Sequence, residues 1–242
     1  MQNAIYNSCN TYFYEIGYRL GETEGDFDNE TGVDILSKYC AMYGLDRKSG
    51  VEIEEAEPSV ATRDVVRAAI GQSNNGYTTA ALARYVAAVS TRGELYDLTL
   101  LKEIQDKDGN VLETFGPKPQ EDIEVTEEYW DSISEGMRRV CANRSAFSNL
   151  RRTDEDGQSE RVTAAGKTGT AQQAVNAPNH ALFLGYAPYD DPEIAMAIRI
   201  PNGYSSSYAA LVASQIMQYY FDPDTLSSIL NIEEIPNYEN GD

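Results

Sequence analysis

Residues 161–172, 181–187 and 193–200 are three runs of strand character that follow one another almost without interruption. The Pro188-Tyr189-Asp190-Asp191-Pro192 turn between the last two is too short to hold a crossover helix, so these two must pair antiparallel. Short connections place sequential strands side by side, and the expected sheet order is the chain order. The first run contains Thr163-Ala164-Ala165-Gly166-Lys167-Thr168-Gly169-Thr170-Ala171-Gln172, small residues and hydroxyls around one lysine. Gly166 and Gly169 leave bare backbone beside Lys167, which suits a strand where a ligand's own amide pairs as if it were another strand. Thr168 and Thr170 are two apart and fall on one face, where their hydroxyls suit a carboxylate with Lys167 supplying positive charge. Taken alone, the stretch reads equally well as an edge strand with a solvating lysine.

Around this sheet the chain alternates helices and loops. A helix is predicted over 11–20, with Ser8 and Asn10 at its N-terminal mouth, where both also read simply as capping residues. A second is predicted over 33–42, ending at Gly44, and residues 46–59 read as an acidic surface loop. Thr78 caps a helix whose Leu82, Tyr85, Val86 and Val89 share a face and which Gly93 ends. Residues 98–105 and 111–115 flank an Asp-Gly turn and predict a surface hairpin. Thr126 is expected to cap a helix buried through Trp130, Ile133, Met137 and Val140. Residues 143–160 are polar and without periodicity, and a mobile stretch is expected there. A closing helix over 206–221 is expected to bury Leu211, Val212, Ile216 and Tyr219/Tyr220. Helices first and an antiparallel sheet with a closing helix after them make the fold class α+β, a sheet flanked by helices.

Charge and cysteines narrow the function classes. A net charge of -20 with 19 Lys+Arg spread thinly excludes a nucleic-acid stripe, so any anionic ligand needs a local site. Cys9, Cys40 and Cys141 form no CxxC or Cys/His cluster, and neither a disulfide framework nor a metal site is indicated. No organic cofactor is implied. No apolar run approaches the ~20 residues of a membrane span, and the N-terminus lacks the marks of a signal peptide. His180, the only histidine, reads as structural, and the 17 tyrosines as half-buried packing.

The order of these pieces resembles the transpeptidase domain of class B penicillin-binding proteins. The resemblance is carried by Ser8-Cys9-Asn10-Thr11-Tyr12-Phe13-Tyr14, Ala69-Ile70-Gly71-Gln72, Ala165-Gly166-Lys167-Thr168-Gly169-Thr170-Ala171-Gln172 and His180-Ala181-Leu182-Phe183-Leu184-Gly185-Tyr186-Ala187-Pro188. It implies an acyl-enzyme built around Ser-x-x-Lys, Ser-x-Asn and Lys-Thr-Gly motifs. Ser8 would relay a proton to the leaving group and Asn10 would hold the substrate backbone. Lys167 would supply field and hydrogen bonding, Thr168 and Thr170 would take a carboxylate, and the N–H of Thr170, just after Gly169, would form half of an oxyanion hole. A second Ser-x-Asn, Ser73-Asn74-Asn75, competes with the first, which is preferred for the aromatic helix behind it.

One motif is missing. The six lysines have Ile35, Leu45, Thr99, Ile104, Phe115 and Ala164 three residues before them, so the sequence contains no Ser-x-x-Lys. The expectation is therefore a partial domain over 1–222, lacking the nucleophile helix, with an acidic tail over 223–242. The implied activity is peptidoglycan cross-linking by the intact protein on the extracytoplasmic face of the membrane, held by an anchor outside this sequence, with the piece alone inactive. The implied ligands and partners are stem peptides, β-lactams and other cell-wall synthesis proteins. The competing readings are a β-lactam sensor or β-lactamase of the same fold, and a non-catalytic cell-wall or division interaction domain.

Overall fold

The computed structural model describes residues 1–172 and 176–230. They belong to two compact units, one of Met1–Asn10 together with the chain from Thr126 onward, the other Thr11–Val125. The chain begins with α1 (Gln2–Tyr6) and enters the second unit along α2 (Asn10–Leu20). That unit continues with α3 (Asn29–Met42), α4 (Val65–Ala68), α5 (Thr79–Ser90), β1 (Tyr96–Asp97), β2 (Glu103–Gln105), β3 (Val111–Thr114) and β4 (Lys118–Pro119).

Helix α3 starts four residues before its predicted start, because Asp28 accepts from the Glu30 N–H and draws the Thr31 hydroxyl at 2.6 Å, giving Asn29 and Glu30 a capped first turn. It ends at Gly44, whose φ of 68° is cheap only for glycine. Thr78 caps α5 as expected, its hydroxyl accepting from the Ala81 N–H at 3.0 Å. The surprise on α5 is Arg84, buried to 1% exposure. Its guanidinium ties down the carbonyls of Gly44, Arg47 and Lys48 and pairs with Asp97 at 3.1 Å. The 46–59 segment is irregular, as expected, but not merely laid over a surface: Ser49 is fully buried and gives both its N–H and its hydroxyl to Glu55. The hairpin is the exposed pair β2–β3, with Ile104 opposite Glu113, a bulge, and a strand at Glu103–Gln105 shorter than the predicted run.

The first unit resumes with α6 (Glu127–Ala142), a 3₁₀ turn (Ser145–Phe147), β5 (Arg151–Thr153), β6 (Ser159–Arg161), β7 (Ala165–Ala171), β8 (His180–Ala187), β9 (Ile194–Ile200), α7 (Ser206–Phe221), a second 3₁₀ turn (Pro223–Thr225) and α8 (Leu226–Leu230). The predicted sheet is present in the predicted order, β7-β8-β9, antiparallel throughout, with Lys167 opposite Leu184 and Phe183 opposite Ile198. Residues 231–242 of the expected acidic tail lie outside the described residues.

Three expectations are corrected here. Thr126 precedes α6 but makes no side-chain cap, while Glu127 and Glu128 stand in the first turn, where they suit the helix dipole. Residues 143–160 are not structureless: a 3₁₀ turn buries Phe147, Leu150 is buried, and β5–β6 form a hairpin closed by Asp154 and Gly157. Their few apolar side chains have no helical or strand period, yet they reach a distant core. Helix α7 has the predicted bounds but the opposite buried face. Ala209, Ala210, Ala213, Met217 and Phe221 meet the sheet, while Ile216, Tyr219 and Tyr220 are exposed. Alanines let the helix approach Ala181, Phe183 and Ala187 closely, and the close approach contributes more dispersion and burial than bulk held at a distance.

Candidate active site

The site begins at the end of α1. The Ser8 N–H donates to the Ile5 carbonyl at 3.2 Å and the Cys9 N–H to that of Ala4 at 2.9 Å, with Ser8 at φ 49°. This is the helix-ending loop in which the left-handed position ordinarily takes glycine or asparagine. A serine there costs about 1 kcal/mol in backbone sterics, and its hydroxyl is what glycine would lack. That hydroxyl accepts from Lys167 Nζ at 2.5 Å, across 159 residues of sequence. Lys167 Nζ also donates to the Thr168 carbonyl at 2.8 Å. An ammonium on its lone pair leaves the Ser8 O–H free to donate and favours its giving up a proton.

Helix α1 is held to α6 by three contacts. Arg139 donates to Asn3 Oδ1 at 2.6 Å and lies over the Tyr6 ring at 4.7 Å. Gly136 admits Ile5 so closely that a Cβ there would stand 2.9 Å from Ile5 Cβ. Asn10, two residues beyond Ser8, is the exposed first residue of α2, and among the described residues its amide makes no hydrogen bond. Cys9 between them is a half-buried free thiol.

On β7 the side chains divide as the strand period requires. Thr168 and Thr170 share a face; Thr168 is buried to 7% exposure and Thr170 is exposed. Among the described residues β7 pairs only with β8, so its other edge keeps backbone donors and acceptors for a strand-like ligand. The glycines serve different ends, which corrects their shared reading. A Cβ on Gly166 would lie 2.3 Å from Phe183 Cζ, so that position is bare for the core, while Gly169 meets only Leu182, at an ordinary 3.4 Å.

The second Ser-x-Asn is occupied within its own unit. Ser73 Oγ donates to the Arg63 carbonyl at 2.6 Å. Asn75 accepts from Ala61 N–H and from Tyr77 Oη, and donates to Gln72. Burial, together with Cys40, raises the Tyr77 phenol far above its usual range and keeps it neutral. These groups stitch loops. His180 is buried, with Nδ1 accepting from the Asn202 N–H at 3.0 Å and Nε2 3.0 Å from Arg199 Nη2, a structural setting. Among the described residues no three His, Cys, Asp or Glu side chains are grouped to hold a metal. One site residue was not foreseen: Arg144, just past α6, donates to Thr168 Oγ1 at 3.1 Å. It lies in the polar 143–160 stretch, where no local pattern singles it out.

Known proteins resemble this chain in sequence and in fold. The Peptidoglycan D,D-transpeptidase MrdA of Haemophilus influenzae is 29% identical over 92% of this chain and 36% of its own length. The structure of penicillin-binding protein 2B from Streptococcus pneumoniae R6 superposes with a TM-score of 0.75 at 23% identity, over 92% of this chain and 39% of that one. Penicillin-binding protein A of Mycobacterium tuberculosis, solved as a penicillin G acyl-enzyme complex, superposes at 0.70 with 23% identity, over 90% and 47%. The chain thus spans about a third of the curated relative's length. The model of the penicillin binding protein transpeptidase domain matches residues 1–218. With that match over nine-tenths of the chain, and with an α+β fold and a sheet like those of these neighbours, the chain belongs to the penicillin-binding protein transpeptidase domain family.

Proposed function

We propose that this chain supplies two walls of a serine D,D-transpeptidase that cross-links peptidoglycan stem peptides through an acyl-enzyme. The observation that carries the reading is the hydrogen bond between Lys167 Nζ and Ser8 Oγ, which joins the Lys-Thr-Gly strand to the Ser-x-Asn turn. In this reading the acylated serine and its lysine stand on a Ser-x-x-Lys outside these 242 residues, because the sequence contains none. Ser8, polarised by Lys167, passes a proton to the departing amine. The Asn10 amide grips the substrate backbone, whose strand pairs with the free edge of β7 beside Gly169. Thr168 and Thr170 take the terminal carboxylate, and the Thr170 N–H stabilises the tetrahedral oxyanion.

The same pocket accepts β-lactams as acylating mimics, which fits a relative solved as a penicillin G acyl-enzyme. The place of action is the extracytoplasmic membrane face, beside other cell-wall synthesis proteins. Among the described residues no helix is long and apolar enough to cross a membrane. The deciding experiment offers the full-length protein a stem peptide with and without an acceptor amine. The reading expects cross-linked product with the amine; hydrolysis alone, together with rapid penicillin turnover, would make the protein a β-lactamase.

A further inference from the structure

We infer that Arg144 is a specificity-determining residue, one that binds the ligand's terminal carboxylate together with Thr168 and Thr170. The inference rests on the proposed site. It starts from charge: with 39 acidic side chains against 19 basic ones, an anionic ligand meets repulsion everywhere except at a local cation. Four of the unit's other arginines are engaged, Arg199 of β9 by His180 Nε2 at 3.0 Å. Arg138 is held bidentately by Glu135, Arg152 pairs with Glu193, and Arg139 braces α1. Arg144 is half-buried, and among the described residues it has no carboxylate partner. Its single side-chain hydrogen bond goes to Thr168 Oγ1, which leaves most of its donor fork unspent in a partly desolvated place.

The contact also sets the direction of the threonine. A hydroxyl that accepts from a guanidinium turns its own proton outward, and a carboxylate is the partner that can accept from Thr168 O–H and Arg144 N–H at once. The mounting is rigid. The Arg144 N–H is bonded to the Cys141 carbonyl at 3.0 Å, its carbonyl accepts from Phe147 N–H at 3.1 Å, and Phe147 stacks on Phe183, the residue opposite Thr168 in the sheet. The guanidinium is therefore pre-positioned beside the hydroxyl face of β7.

The test uses the full-length protein, penicillin G and penicillin G methyl ester, each competed against a fluorescent penicillin. The readout is the ratio of acid to ester acylation rates within each variant, so the amount of folded protein cancels. Arg144→Ala should lower the ratio about tenfold to a hundredfold by slowing the acid alone, with Arg144→Lys in between. Arg144→Gln, similar in size and polar, reads the same ratio should the alanine variant fail to fold. An unchanged ratio in Arg144→Gln and Arg144→Ala, or equal slowing of acid and ester, overturns the inference while leaving the proposed site standing. A wild-type protein that penicillin G does not acylate, or that shows no preference for the free acid, overturns the proposed site itself.

Discussion

Replacing Ser8 separates what the backbone wants from what the chemistry needs. Ser8 sits at φ 49° where α1 ends, and its hydroxyl meets Lys167 at 2.5 Å. Ser8→Ala keeps the left-handed strain and loses the hydrogen bond, a loss of about 1 kcal/mol for an exposed pair. Ser8→Gly loses the same bond but relieves about 1 kcal/mol of backbone strain, so its stability should stay near wild type. The alanine variant should therefore melt about 2 to 4 °C below the glycine variant, on the scale of about 1 kcal/mol for a chain of this size. Differential scanning calorimetry of both variants measures this. An alanine variant as stable as the glycine one would refute the helix-ending geometry. Acylation by a fluorescent penicillin in the full-length protein should fall in both variants alike, by about a hundredfold or more, because both lack the relaying hydroxyl. A glycine variant that keeps the wild-type rate would refute the role of Ser8.

Gly166→Ala drives a methyl into Phe183, which is fully buried and stacked on Phe147, and should cost about 1 to 3 kcal/mol by overpacking, read as a lower urea midpoint. Arg84→Ala strips a buried cation from three carbonyls and Asp97 and should cost about 3 to 5 kcal/mol in the same assay. Partial burial works against the Glu55 carboxylate, but the Thr78 and Ser49 hydrogen bonds outweigh it and hold Glu55 below the ordinary glutamate range. Glu55 thus binds fewer protons folded than unfolded. Its contribution is present above about pH 4.3 and lost as pH falls through the folded value, so Glu55→Gln should flatten that acid limb of a melting-temperature profile.

What the sequence made legible was local. The β7-β8-β9 order followed from short connections, and the bounds of α7 from its period and flanking residues. The buried face of α7 was misread because large apolar side chains dominate any hydropathy count, whereas packing on a sheet rewards small ones. Ser49 and Glu55 looked like ordinary loop residues and Thr78 like a helix cap alone, since the bonds that Glu55 makes to Ser49 and Thr78 join residues up to 23 apart and no periodicity encodes them. The site was half legible. Lys167, Thr168 and Thr170 announce themselves on one strand, but the meeting of Ser8 with Lys167 depends on tertiary packing through α1 and α6, and only the order of motifs pointed to it. Arg144 had no such pointer.

The most direct test of the account is the acylation rate of the full-length protein by a fluorescent penicillin, before and after Lys167→Ala. Lys167 holds the Ser8 hydroxyl and supplies the positive charge beside the Thr168–Thr170 strand. The account predicts that wild type is labelled and that the variant, still folded by circular dichroism, is labelled at least about a hundredfold more slowly. A folded Lys167→Ala variant labelled within twofold of the wild-type rate would contradict it.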